Sequence, residues 1–123
     1  METETLSYIN QVLTEIGINY SFSRWNGEVA FPYWVGEYSD NESDYEDHST
    51  DAEFILTGTT ENSWLSLQDD RTKIVTIFRN HKTILSNGIG LCIDVLNSLI
   101  VPTETEELKR IQITLSVKEW RNY

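Results

Sequence analysis

The chain has 123 residues, with 20 acidic against 9 basic side chains for a formal net charge of −11. That length suits one domain, 1–123, able to bury a core without a metal or disulfide staple. Apolar residues at 39%, with 4 Trp, 6 Tyr and 4 Phe, exclude a disordered polyanion, and a lone Cys92 excludes a disulfide framework or a CxxC metal site.

Leu6, Ile9, Leu13 and Ile16 recur at helical spacing, and Gly17 supplies a left-handed cap, so a first helix is expected over about 4–16. Ile18, Tyr20 and Phe22 then alternate with polar residues as a half-buried strand. Asn26-Gly27 is a hairpin signal, which predicts an antiparallel return strand carrying Val29, Phe31, Tyr33 and Val35 inward. Pro32 within it predicts an edge strand or a bulge. Residues 37–51, dense in acid, Ser and Asn, read as a solvated, mobile loop centred on 39–51.

A third strand is expected over Ala52–Thr59 and a second amphipathic helix over about 63–80, carrying Trp64, Leu67, Arg71, Ile74 and Phe78. Ser86-Asn87-Gly88 predicts a hairpin between Thr83–Leu85 and Ile89–Val95. Leu99–Pro102 and the acidic stretch Thr103–Glu107 then read as a connection. Last come Ile111, Ile113, Leu115 and Val117, with Gln112, Thr114, Ser116 and Lys118 on the opposite face. The expected fold class is α+β, in the order α-β-β-β-α-β-β-β, with two helices packed on one face of a mainly antiparallel sheet. The sheet's other face is expected to be open to water or a partner.

No catalytic or cofactor motif emerges. Asp40, Glu42 and Asp44 alternate as calcium ligands do, but Tyr45 stands where that loop needs glycine and Asp51 where it needs glutamate. His48 and His81 lie far apart, and His81 reads as a helix-end residue. Cys92 falls on the strand face opposite Ile89, Leu91 and Ile93, with no histidine as its sequence neighbour. No cofactor and no enzyme are expected. The N-terminal residues lack a basic region followed by an apolar one, so no secretory signal is expected. The aliphatic run Leu99–Val101 is far too short for a membrane span.

Charge is uneven along the chain, −14 over residues 1–70 and +3 over 71–123. Such a distribution repels a polyanion, so sequence-specific nucleic-acid binding is not expected. It serves either solubility or an oligomer in which acidic and basic patches of neighbouring copies meet. Arg71, Lys73, Lys109, Arg110 and Lys118 are the candidate cations of such an interface, with Tyr33 and Trp34 as its aromatic anchor, Trp34 being read on the outer face of an edge strand. Core packing is the ordinary role of such aromatics.

The segments Phe31-Pro32-Tyr33-Trp34-Val35-Gly36-Glu37-Tyr38, Phe54-Ile55-Leu56-Thr57-Gly58-Thr59-Thr60, and Leu108 to Trp120 resemble small proteins of tailed-phage and prophage structural modules in Gram-positive bacteria. The element order is similar to that of tail terminator (tail completion) proteins, the head–tail joining subunits that form a ring between tail tube and head connector. The resemblance runs from the first helix to Trp120 and carries over no functional residue one for one. It implies a non-enzymatic virion subunit, hexameric when assembled, with its own copies, tail-tube and head-connector proteins as partners. Such a protein is cytoplasmic in the bacterial host before it enters the virion. The other reading is a small acidic immunity or anti-toxin protein that plugs a basic nuclease site by charge mimicry. Calorimetry with calcium is expected to show nothing tighter than about millimolar, and a micromolar site abolished by Asp44→Ala would overturn the reading of the acidic loop.

Overall fold

The computed structural model describes residues 1–24, 27–41 and 49–120. Its elements follow the order α1 (Thr3–Glu15), β1 (Tyr20–Phe22), β2 (Tyr33–Asn41), β3 (Ser49–Glu61), α2 (Leu65–Phe78), β4 (His81–Ile84), β5 (Gly90–Ile100) and β6 (Leu108–Trp120). All six strands join one sheet in the order β1-β2-β3-β6-β5-β4.

Helix α1 ends as its sequence dictates. Gly17 takes φ +82°, the Ile18 N–H reaches the Leu13 carbonyl at 2.9 Å, and the Gly17 N–H reaches that of Thr14 at 3.1 Å. These two bonds satisfy carbonyls that the last turn would otherwise leave unpaired. Ile9, Val12 and Leu13 of α1 join Leu67, Ile74, Val75 and Phe78 of α2 in one buried cluster. The sheet contributes Trp34, Phe54, Leu56, Leu91, Ile93, Ile111, Ile113, Leu115 and Val117 to it.

The expected fold class is corrected here. The sheet is mixed and curled rather than mainly antiparallel beneath two helices, and strand exceeds helix among the described residues, 48% against 24%. The difference begins at β1, which pairs parallel to β2, with Tyr20 opposite Trp34 and Phe22 opposite Gly36. An Asn-Gly hairpin there would have made the pair antiparallel. Instead, β2 begins beside the start of β1, where the Trp34 N–H bonds the Asn19 carbonyl at 2.8 Å. The Asn19 side chain donates to the Ala30 carbonyl at 3.1 Å. Asn26 itself lies outside the described residues. Strand β2 starts only at Tyr33 and has β1 outside its first part, so Pro32 marks the approach to a strand rather than an edge.

Two further boundaries move. The acidic stretch is strand at both ends, since β2 runs to Asn41 and β3 starts at Ser49. Residues 42–48 of the expected mobile loop lie outside the described residues. Strand β5 runs on through Leu99 to Ile100, pairing with β6 past an irregularity between Val95 and Asn97, where a connection was expected.

Register explains the core. Trp34 stands opposite Gly58, which stands opposite Ile111; Gly36 stands opposite Leu56, which stands opposite Ile113. The Trp34 ring crosses Gly58 so closely that a Cβ there would lie 2.5 Å from it, and a Cβ at Gly36 would lie 2.6 Å from the Phe54 ring. Each glycine is therefore a gap in the sheet surface into which a large ring from the adjacent strand is laid. Gly58→Ala is expected to cost about 1–3 kcal/mol by overpacking, and Ile113→Ala about 2–5 kcal/mol by cavity formation. Urea unfolding measures both, and a neutral Gly58→Ala would contradict the ring-over-glycine packing.

Candidate functional site

Because side chains alternate along a strand, the register that points Trp34, Phe54, Leu56, Ile111 and Ile113 into the core points their neighbours to the opposite face. There Tyr33, Thr59 and Arg110 form one row across β2, β3 and β6. Val35, Thr57, Gln112 and Leu99 form the next, reaching β5. Asn41, Asp51, Lys118, Cys92 and Lys82 form a row near the other end. A shallow depression of about 310 Å³ lies between Tyr33, Val35, Ile55, Arg110 and Gln112. The Arg110 guanidinium is held there by its Nε donating to the Thr59 hydroxyl at 3.3 Å. Phe31, 41% exposed, tilts against Tyr33 with ring centres 5.7 Å apart and widens the apolar part.

The candidate interface residues divide among three places. Tyr33 and Arg110 meet at this depression, and Lys118 shares their face with its ammonium 5.0 Å from the Trp120 ring centre. Arg71 and Lys109 lie on the helical side. Arg71 Nε donates to the Ser98 hydroxyl at 2.8 Å, and Lys109 Nζ sits 5.6 Å from the centre of the Trp64 ring. Lys73 is exposed on α2.

Trp34 is the correction. It is fully buried, so it anchors the core and not an outer surface. Its neighbours Tyr33 and Val35 occupy the outward positions that the alternation had given to Trp34. The physical reason is steric, because only the Trp34 position faces Gly58, whose missing side chain leaves room for an indole.

Nor do the two charge blocks become two flanks. Strand β6, with Lys109, Arg110 and Lys118, is inserted between β3 and β5, and Lys118 stands directly opposite Asp51 of the acidic half. Ile55, Thr57 and Thr59, which were expected only as part of the third strand, also line the uncovered face, beside Gln112 and beside Val35, which was expected inward. The alternation Phe54, Leu56 against Ile55, Thr57 was their signal.

Three buried or half-buried polar contacts tie the layers together. Glu119 is 3% exposed, and its Oε2 accepts from the Thr5 hydroxyl at 2.6 Å and from the Glu2 N–H at 3.2 Å. A carboxylate from the last strand thus caps the start of α1, where the helix dipole favours negative charge. The Tyr8 hydroxyl bonds His81 Nε2 at 2.6 Å, while His81 Nδ1 faces the Ile77 carbonyl at 3.1 Å. Since a carbonyl only accepts, Nδ1 carries a proton, and Nε2 is turned to the tyrosine hydroxyl. His81 thereby ties α1 and β4 to the last turn of α2, the helix-end position expected of it.

The third contact is Trp34 Nε1 donating to Asp70 Oδ2 at 3.1 Å. Burial pushes the Asp70 carboxyl above its ordinary range, with Asp69 adding to the rise, against the lowering by the Trp34 bond and Lys73. Among the described residues no group of three or more His, Cys, Asp and Glu is placed to hold a metal ion, and no helix is long and apolar enough to cross a membrane. The uncovered face offers hydrogen-bonding, stacking and one fixed guanidinium.

A raised carboxyl binds more protons folded than unfolded. Asp70 therefore contributes most stability below its ordinary value of 3.8, and that contribution falls as pH rises through the raised value. Asp70→Asn keeps an acceptor for Trp34 and removes the titration. Chemical unfolding between about pH 4 and 7 is expected to show stability falling less with pH in this variant than in the parent; equal slopes would refute the assignment.

No protein-family model matches this chain, and no curated protein matches it significantly.

Proposed function

We propose that the protein is a non-enzymatic structural subunit of the tail terminator type, which closes into a ring at the head–tail junction or the end of the tail tube. The observation that carries this reading is the uncovered face of the sheet. One side of the sheet is sealed by the helices, while the other presents Tyr33, Val35, Ile55 and Arg110 around a shallow depression. Tyr and Arg on a broad, shallow surface are what protein contacts use as anchors, whereas small-molecule sites are deeper and more enclosed. The resemblance of the Phe31–Tyr38, Phe54–Thr60 and Leu108–Trp120 segments to phage structural proteins supplies the kind of assembly. On this reading the partners are further copies of the chain, tail-tube protein and head connector. The protein resides in the host cytoplasm until it enters the virion.

Sedimentation at high protein concentration, with and without tail-tube protein, tests the proposal. The parent protein is expected to form closed oligomers or to bind the tube. Combined Tyr33→Ala and Arg110→Ala should weaken tube binding by about tenfold or more, as truncation of anchor residues does. Strict monomers under every condition, with phage assembly unaffected by the double substitution, would overturn the reading. Tight, salt-sensitive binding to a basic nuclease would replace it with the immunity-protein alternative.

A further inference from the structure

Strand β4 pairs with β5 only from Gly90 to Ile93, so beyond that point the outer side of β5 has no partner among the described strands. Past the irregularity between Val95 and Asn97 the ladder on β6 is regular again, from Asn97 to Ile100. The Val101 N–H extends it by bonding the Arg110 carbonyl at 3.0 Å. Residues 97–101 are therefore a regular free edge, whose outer N–H and C=O groups are open to another strand. Natural edges are usually guarded by charge or cover. This one carries no charged residue over 95–103, and it exposes Leu99 at 46% and Ile100 at 61%.

Ser98 and Ile100 stand opposite the buried Ile113 and Ile111, which places them on the helical face. Asn97 and Leu99 stand opposite Thr114 and Gln112 on the uncovered face, and Val101 follows them by alternation. A second copy that adds its own β5 with helices on the same side must match these faces. A two-fold axis through Leu99 does so, since Leu99 then meets its counterpart, Ser98 meets Ile100 and Asn97 meets Val101. Helix α2 lies over β6 and touches β3 and β5 on either side. In the pair, three strand spacings, about 14 Å, separate one β6 from the other. That exceeds the ~8–10 Å between packed helices, so the two α2 helices clear each other. A groove of about 370 Å³, lined by Gln68, Arg71, Ser98 and Ile100, receives the neighbouring Ile100.

We infer that this edge of β5 pairs antiparallel with the same edge of a second copy, making a two-fold dimer with one continuous sheet. Charge favours a copy of this chain as the occupant. Beyond Val101 each chain turns through residues 103–107, where Glu104 and Glu106 are exposed. The same register sets that turn beside the other copy's Asp94 and Ile93, next to which stand Asn80 and His81 of the α2–β4 corner. Arg79 is exposed at that corner, and the Asp94 carboxylate already accepts from the N–H groups of Asn80 and Val95. Acidic turn and arginine thus meet twice, once on each side of the axis. The inference goes beyond the ring reading, because a two-fold pair closes on itself. The Tyr33–Arg110 depression opens on the face of the sheet and not on this edge, so the pairing leaves it free.

Because Leu99 meets itself, substitutions there read the symmetry directly. Sedimentation equilibrium of the parent chain is expected to show monomers and dimers exchanging. Leu99→Lys and Leu99→Glu should each weaken the dimer about tenfold or more by opposing like charges. An equimolar mixture of the two variants should regain most of the loss as a heterodimer, which unfolded variants could not do. As a second measure, Leu99→Cys in a Cys92→Ser background should give disulfide-linked dimers and no larger species on mild oxidation, with circular dichroism confirming the fold. A parent that stays monomeric at high concentration would overturn the pairing. So would dimers that tolerate both charged variants and give no cross-link through Leu99→Cys. Neither result bears on the ring reading, which tube binding through Tyr33 and Arg110 decides.

Discussion

The Trp34 indole lies flat over the backbone of Gly58 and reaches across to Asp70 of α2. That contact sets the register of β2 on β3, and with it the face to which every residue of β2 belongs. A shift of one residue would turn the indole to solvent and bring Tyr33 and Val35 inward, against Leu56 and Ile111. It also fixes α2 over the sheet, because the indole N–H must find an acceptor when buried and Asp70 is the one supplied. The cost falls on Asp70, whose carboxyl is held partly out of water.

With one face so committed, the sheet is left asymmetric. Its helical side is an apolar cluster closed by Glu119 at the start of α1 and by His81 between the two helices. The other side is a mosaic of aromatic, hydroxyl and charged residues that none of the described elements covers. Antiparallel sheets commonly stand with one side wet, so an uncovered face alone is unremarkable. What distinguishes this one is the clustering of Phe31, Tyr33 and Arg110 at one end, where the outward positions of β1-proximal β2 meet the first outward positions of β6.

Central placement of β6 also changes what the charge distribution means. In the sequence, anionic and cationic blocks are separate and invite a picture of two oppositely charged flanks. In the fold, β6 carries its cations into the middle of the sheet, where Lys118 opposes Asp51 within the same molecule. Arg79 and Lys82 are exposed at the α2–β4 corner, and Lys73 on α2.

Local pattern alone determined the identity and order of the elements. The 3.6-residue stripe of α1, the glycine that ends it, the glycine turn before β5 and the strict alternation of β6 all express short-range chemistry that neighbouring residues settle among themselves. Alternation likewise separated the polar face of β6 from its core face, because a strand's period survives whatever it pairs with. What a strand pairs with is another matter. The parallel union of β1 with β2 and the inward turn of Trp34 depended on Gly58, twenty-four positions away and on a different strand. Period 2 gives two faces but does not say which is inside, and an isolated Asn-Gly favours a tight turn only where the flanking strands have no better partners. Here β3 offered β2 a longer ladder than β1 could, and the space above a glycine offered Trp34 burial that no local rule could foresee.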